Sequence, residues 1–156
     1  MRDYRLWMAL LRLAVGGVWL FEAYPQVTSS SSYLNQGFAT AVQGMAAGNP
    51  WQFYRHFLEA VVLTHASVFS YLTLVGNALV GLCLVLGLLT PYSAFVGIIL
   101  NVNYALAAGW MMRSTYELNG LLLVSEMVII ALAAGQVAGI DALFTPGPER
   151  RHARRY

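Results

Sequence analysis

From Tyr71 to Trp110 the chain reads YLTLVGNALVGLCLVLGLLTPYSAFVGIILNVNYALAAGW, without one charged residue. Thr90-Pro91 is the only break. Each half has about 20 residues, and at about 1.5 Å of rise per residue that spans the roughly 30 Å of a hydrocarbon core. A proline in the first turn of a helix has a suitable φ and no amide to leave unpaired. The stretch is therefore read as two membrane-spanning helices folded back to back.

Composition extends this reading to the whole chain. Of 156 residues, 58% are hydrophobic and 10% charged, and the mean hydropathy is +0.59, outside the range of ordinary soluble domains. In lipid every backbone polar group needs a partner within the protein, and nothing here alternates as a membrane barrel does, so the spans are predicted to be helical. A formal net charge of +2 gives no argument for nucleic acid. The single cysteine, Cys83, lies inside an apolar span, so the chain by itself holds no internal disulfide and no dithiol relay.

Leu6–Tyr24 is the first span, opened by Arg2 and Arg5 and closed by Pro25. Arg12 interrupts its apolar run and no small-x-small cleavage site follows, so it is read as a retained helix rather than a secretory signal. Arg12, Gly16, Trp19 and Glu22 or Ala23 recur at helical spacing on a face that points into the protein. Gln26–Ser32 is a polar connector. After it, Tyr33, Leu34, Phe38, Ala41, Val42 and Met45 repeat with a helical period against Asn35, Gln36, Thr40 and Gln43, a short amphipathic helix too polar to span. Gly48-Asn49-Pro50 ends it and starts an aromatic helix, with Asn49 as cap and Pro50 in the first turn; Arg55 and Glu59 stand at i,i+4. No Gly or Pro follows until Gly76, so this helix and the second span form one long helix or a bent pair. In the second span Ser70, Thr73, Asn77 and Gly81 make a stripe that lets helices approach and hydrogen-bond. The third span carries Asn101, Asn103 and Tyr104. Trp110–Glu117 is a short connector and Leu118–Ile140 the fourth span, with Asn119 and Glu126 on one face at i,i+7.

The predicted fold is thus an all-α integral membrane protein. It is a bundle of four transmembrane helices, with one or two amphipathic helices in the outer connector between spans 1 and 2. Residues 1–144 form one domain, and 145–156 a basic, disordered tail. Arginines flank the two terminal ends more densely than the opposite side, which predicts a multi-pass protein of the cell membrane with both termini cytoplasmic.

The first span beginning near an arginine, Asn-Pro ahead of an aromatic helix, VGNALVGLCLVLGLLTP, and a last span ending AAGQVAGIDALF together resemble the DoxX-like family. That family includes the DoxD-type membrane subunit of thiosulfate:quinone oxidoreductase, and the similarity covers roughly Leu6–Phe144. It implies a four-helix membrane protein linked to quinone reduction or redox homeostasis. Where many members have Gly-x-x-Lys near the end of the first span, this chain has Phe21-Glu22-Ala23-Tyr24-Pro25. Where they often have Gly-Glu in the second span, it has Gly76-Asn77.

A charge near mid-bilayer costs about 2.5–3.5 kcal/mol on insertion scales, so Arg12, Glu22 and Glu126 need partners or water. One reading is a polar pocket between helices. There Arg12 holds an anionic or carbonyl-bearing group such as a quinone oxygen, Glu126 or Glu22 moves protons, and Trp19, Asn77, Asn101, Tyr104 and Asn119 contact the ligand. The other is a packing role, with Arg12 paired to Glu126 or Glu22 or snorkelling to the interface, and the asparagines serving as interhelical glue. Arg55, Glu59 and His65 mark an alternative outer-face site, against which stands a simple surface pair. His56 and His65 lie on different faces, so no metal site is expected and a bis-histidine haem is not supported. No flavin, haem or iron–sulfur motif is visible; quinone is the cofactor that the resemblance suggests. The first function is a redox-associated subunit, the membrane part of a quinone-linked oxidoreductase, that binds a quinone or similar lipophilic ligand. Its partners are the bilayer and another protein or a second copy. A non-catalytic adaptor or assembly protein is the alternative. A small transporter is weaker, since no inverted repeat is seen.

Overall fold

The computed structural model describes residues 3–29, 32–136 and 139–144, and there the chain is helical. The expected tail, 145–156, lies outside the described residues. Four helices are long and apolar enough to cross a membrane: α1 (Asp3–Thr28), α4 (Ala66–Leu86), α5 (Thr90–Ala108) and α6 (Arg113–Ala131). Between α1 and α4 lies a cover, made of a π-helical turn (Tyr33–Gly37), α2 (Phe38–Ala47), α3 (Gln52–Phe57) and a second π-helical turn (Leu58–Val62). A last short helix, α7 (Asp141–Phe144), follows a 3-10 turn at Ala134–Gln136.

The spans dock through small residues. A Cβ on Gly16 would stand 2.9 Å from the Val85 amide nitrogen, and one on Gly81 2.9 Å from that of Leu20, so α1 and α4 touch almost backbone to backbone. Close approach of this kind drives association where lipid offers no hydrophobic contrast. Gly81→Val should force the helices apart and cost on the order of 1–3 kcal/mol or more. Gly17→Val, on the same helix as Gly16 but with nothing within 4 Å of its Cβ, should leave the melting temperature in detergent unchanged. Equal melting of the two variants would contradict this packing.

Several expected boundaries move. α1 continues through Pro25. The proline forfeits only one backbone bond near the helix end, where Ser29 N–H still reaches the Pro25 carbonyl at 3.0 Å and Thr28 Oγ1 the Tyr24 carbonyl at 3.0 Å. Pro50 and Asn49 stay outside α3; the buried Asn49 instead accepts from Trp51 N–H at 3.0 Å and donates to the Leu106 and Ala107 carbonyls at 2.9 and 3.3 Å. It thereby ties the cover to the end of α5. The aromatic helix and the second span are a bent pair, separated by a turn at residues 63–65. The fourth span occupies Arg113–Ala131 rather than 118–140, because Ala133 takes a positive φ of 47° and the chain then folds back.

That folded-back segment closes one end of the bundle. Gly87, at φ 65°, ends α4 in the left-handed conformation. The Ile140 and Asp141 amides donate to the Leu86 and Gly87 carbonyls at 3.1 and 2.8 Å. The Asp141 carboxylate accepts from the Leu89 and Thr90 amides at 2.7 and 2.8 Å, satisfying orphan donors at the start of α5 and complementing its dipole. Arg12, only 2% exposed, sits at this same end. Its guanidinium lies against the Cα atoms of Gly87 and Gly139, donates to the Ala134 carbonyl at 3.4 Å, and interacts electrostatically with Asp141.

Candidate functional site

Toward the other end, the cover and the four spans enclose a cavity of about 560 Å³, within the range of roughly 300–1,000 Å³ common for small-molecule sites. The cover contributes apolar and aromatic wall, among it Phe38, Val42, Met45, Phe57 and Val62. It is fixed in place by Asn49 and by Tyr54, whose hydroxyl donates to Asn103 Oδ1 at 2.7 Å. The spans contribute the polar groups: Trp19, Glu22 and Gln26 from α1, Asn77 from α4, Asn101, Asn103 and Tyr104 from α5, and Thr115 and Asn119 from α6.

These polar groups are already linked. Tyr104 OH donates to Asn77 Oδ1 at 2.9 Å, and Asn77 Nδ2 reaches Gln26 Oε1 at a long 3.5 Å. Trp19 and Tyr104 stand ring to ring, with centroids 6.4 Å apart. Behind the wall is Glu126, fully buried, whose Oε1 accepts from Trp19 Nε1 at 2.8 Å and Oε2 from Asn101 Nδ2 at 2.7 Å. The carboxyl fits because Gly97 faces it, leaving no room there for any side chain. Asn101 Oδ1 is buried without a hydrogen-bond partner among the described residues, a costly condition that usually marks a functional or adaptable position.

Of the residues singled out in the sequence, Trp19, Glu22, Asn77, Asn101, Tyr104 and Asn119 all line this one cavity, and Glu126 is one side chain behind it. Arg12 is not among them. Trp19, about two helical turns further along α1 and so about 10 Å away along the axis, is the residue level with Glu126, so Arg12 and Glu126 serve different ends of the bundle. Arg55 and Glu59 form a half-exposed pair at 3.5 Å, and His65 Nδ1 lies 3.1 Å from the Val61 carbonyl of its own turn; none of the three lines the cavity. No group of three or more metal-ligating side chains occurs among the described residues.

Gln26, Tyr33 and Asn103 also line the site, although sequence reasoning does not single them out as ligand contacts. Gln26 follows Trp19 and Glu22 at i+7 and i+4, a spacing that places it on their face once α1 is extended past Pro25. Burial raises the Tyr33 phenol and pushes that of Tyr54 to about 12. An acid whose folded pKa is raised favours the fold fully below its unfolded value near 10, and loses that contribution as pH climbs toward 12. The melting temperature should therefore fall above pH 10, by the equivalent of up to about 3 kcal/mol from Tyr54, and Tyr54→Phe should flatten the fall. An unchanged slope in Tyr54→Phe would contradict the burial of this hydroxyl.

A family model described as TQO small subunit DoxD matches residues 7–152. No curated protein and no solved structure gives a match to the chain.

Proposed function

Starting from the fact that the chain belongs to the DoxD family, that of a membrane subunit of a quinone-linked oxidoreductase, we propose that the cavity under the cover binds a quinone. The observation that carries this reading is the convergence of aromatic wall and hydrogen-bonding side chains on one partly open cavity of about 560 Å³. A quinone ring needs flat apolar surface on its faces and donors at its carbonyl oxygens. Trp19, Tyr104 and Phe57 supply the first. For the second, Asn77 Nδ2 is held only at 3.5 Å by Gln26 and is a donor open to a ligand oxygen, with Tyr104 OH fixing the orientation of Asn77 through Oδ1.

A bound quinone supplies an acceptor for two electrons. The side chains bind and orient it, and they hold protons near it. Glu126, one side chain behind the wall at Trp19 and Asn101, keeps a proton-exchanging carboxyl close to the cavity but out of contact with lipid. Glu22, accessible at the cavity, is the second such carboxyl. The Gly-Glu that family members often carry in the second span is Gly76-Asn77 here, and the buried acid among the described residues is Glu126. With the arginine bias, both termini and the Arg12–Asp141 end lie on the cytoplasmic side, and the cavity opens toward the other face. Electrons come from a partner protein.

Lipid extraction of the protein purified in mild detergent tests the binding. The expected result is about one quinone per chain in the native protein, reduced severalfold in Asn77→Ala with melting intact, as for the loss of one hydrogen bond of about 1 kcal/mol or more. A folded protein carrying no quinone, and taking none up when supplied, would favour a non-catalytic adaptor.

A further inference from the structure

We infer that the cavity sorts ligands by charge, with Glu22 as its filter: it admits an uncharged ligand and excludes inorganic oxyanions, so that an anionic co-substrate of the same reaction binds outside it. The inference rests on the quinone reading for its neutral half only; the exclusion of anions stands on the charges of the wall.

No arginine, lysine or histidine is among the described residues lining the cavity. Glu22 lines it and is exposed, and a second carboxyl, Glu126, lies one side chain behind. The described arginines lie elsewhere, Arg5 exposed near the start of α1. Arg12 is built into the opposite end, Arg55 is paired with Glu59 and Arg113 with Glu117. An oxyanion entering the cavity would give up hydration, approach the Glu22 carboxylate, and meet a largely apolar wall with no cation among its described residues to offset either cost.

Four donors of the wall are already committed, while Gln26 Nε2, Asn103 Nδ2 and the Tyr33, Thr73 and Thr115 hydroxyls remain available to a neutral ligand. Trp19 Nε1 and Asn101 Nδ2 are spent on Glu126, Tyr104 OH on Asn77, and Asn119 Nδ2 on the Thr115 carbonyl at 2.7 Å. A small anion requires several donors or a cation at once to replace its water. A neutral carbonyl requires one, and the loosely held Asn77 amide provides it. The charge of the wall, a carboxylate with no cation beside it among the described lining residues, therefore favours the uncharged ligand.

The test uses the full chain in nanodiscs of neutral lipid, with decyl-ubiquinone as the neutral probe, read by quenching of tryptophan fluorescence, and sodium thiosulfate as the anionic one. With ionic strength held constant by sodium chloride, thiosulfate should shift the apparent quinone Kd by less than about twofold. Calorimetric titration with thiosulfate alone should show no saturable binding sensitive to Asn77→Ala. Glu22→Arg, at an exposed position and checked for unchanged melting, should acquire competition, raising the apparent quinone Kd at least about threefold in thiosulfate, and Glu22→Gln should fall between. Competition by thiosulfate in the native protein, or Glu22→Arg behaving as native, would overturn the filter. Failure of the quinone to bind would instead sink the quinone reading, and an absence of thiosulfate binding in the same preparation would leave the exclusion standing.

Discussion

Glu126→Ala is expected to destabilise the bundle by several kcal/mol, while Glu126→Gln leaves it folded. The alanine removes the acceptor of two buried donors, Trp19 Nε1 and Asn101 Nδ2, on residues 2% and 1% exposed. Each orphaned donor costs about 1–3 kcal/mol, and the empty space adds to it. Glutamine keeps one acceptor for Trp19 and presents an NH₂ group to Asn101. Asn101 Oδ1, unpartnered among the described residues, becomes its acceptor if the asparagine amide turns over, so the substitution should cost less than about 1.5 kcal/mol. What the glutamine amide cannot do is exchange a proton as a carboxyl does. In the assembled oxidoreductase, Glu126→Gln should slow quinone reduction by about 10²-fold or more with melting near native. Melting curves for both variants, beside the rate for the glutamine one, check this; a Glu126→Gln protein of native rate would leave the acid with a packing role alone.

Arg12→Ala is the second large effect, and it should be structural. The guanidinium fills the space between Gly87 and Gly139, bonds the Ala134 carbonyl and interacts with Asp141. Its removal from a site 2% exposed empties a packed space and takes a donor from the Ala134 carbonyl, and should cost about 2–5 kcal/mol. Lysine should not restore it, because a compact ammonium on a flexible stem does not reproduce the planar fork. Variants that remain folded should bind quinone with native affinity, since the guanidinium lies at the end of the bundle away from the cavity. Loss of quinone from a well-folded Arg12 variant would contradict this separation.

Much of this arrangement is legible in the residues. The uncharged 71–110 stretch and the Thr90-Pro91 break give the central hairpin, and polar residues inside apolar spans give most of the polar groups of the cavity wall, because placing them there is expensive without a purpose. What the sequence hides is axial register. At the end of the bundle where α1 starts and α6 finishes, Arg12 lies about 14 Å into α1 and Glu126 about 8 Å before the end of α6, close enough in depth to suggest a pair. The hydrogen bond from Trp19 to Glu126 shows that α1 is offset, and helical periodicity carries no information about such sliding. The Asp141 cap on α5 is hidden for a related reason. Its partners, Leu89 and Thr90, lie about fifty residues away in sequence, and a run as apolar as Leu118–Ile140 reads as an uninterrupted span although Ala133, at a positive φ, turns the chain back. Gln26 is obscured by Pro25, a stop signal that fails when only one bond near a helix end is lost.

Photolabelling with an azido-quinone, followed by mass spectrometry of the peptides, tests the cavity most directly. Label is expected on α1 between Trp19 and Gln26, on α5 between Asn101 and Tyr104, and on the cover at Phe57–Val62, and it should be displaced by excess decyl-ubiquinone. Label confined to the Arg12–Asp141 end, or spread over the lipid-facing surface and not displaced, would contradict a quinone site under the cover.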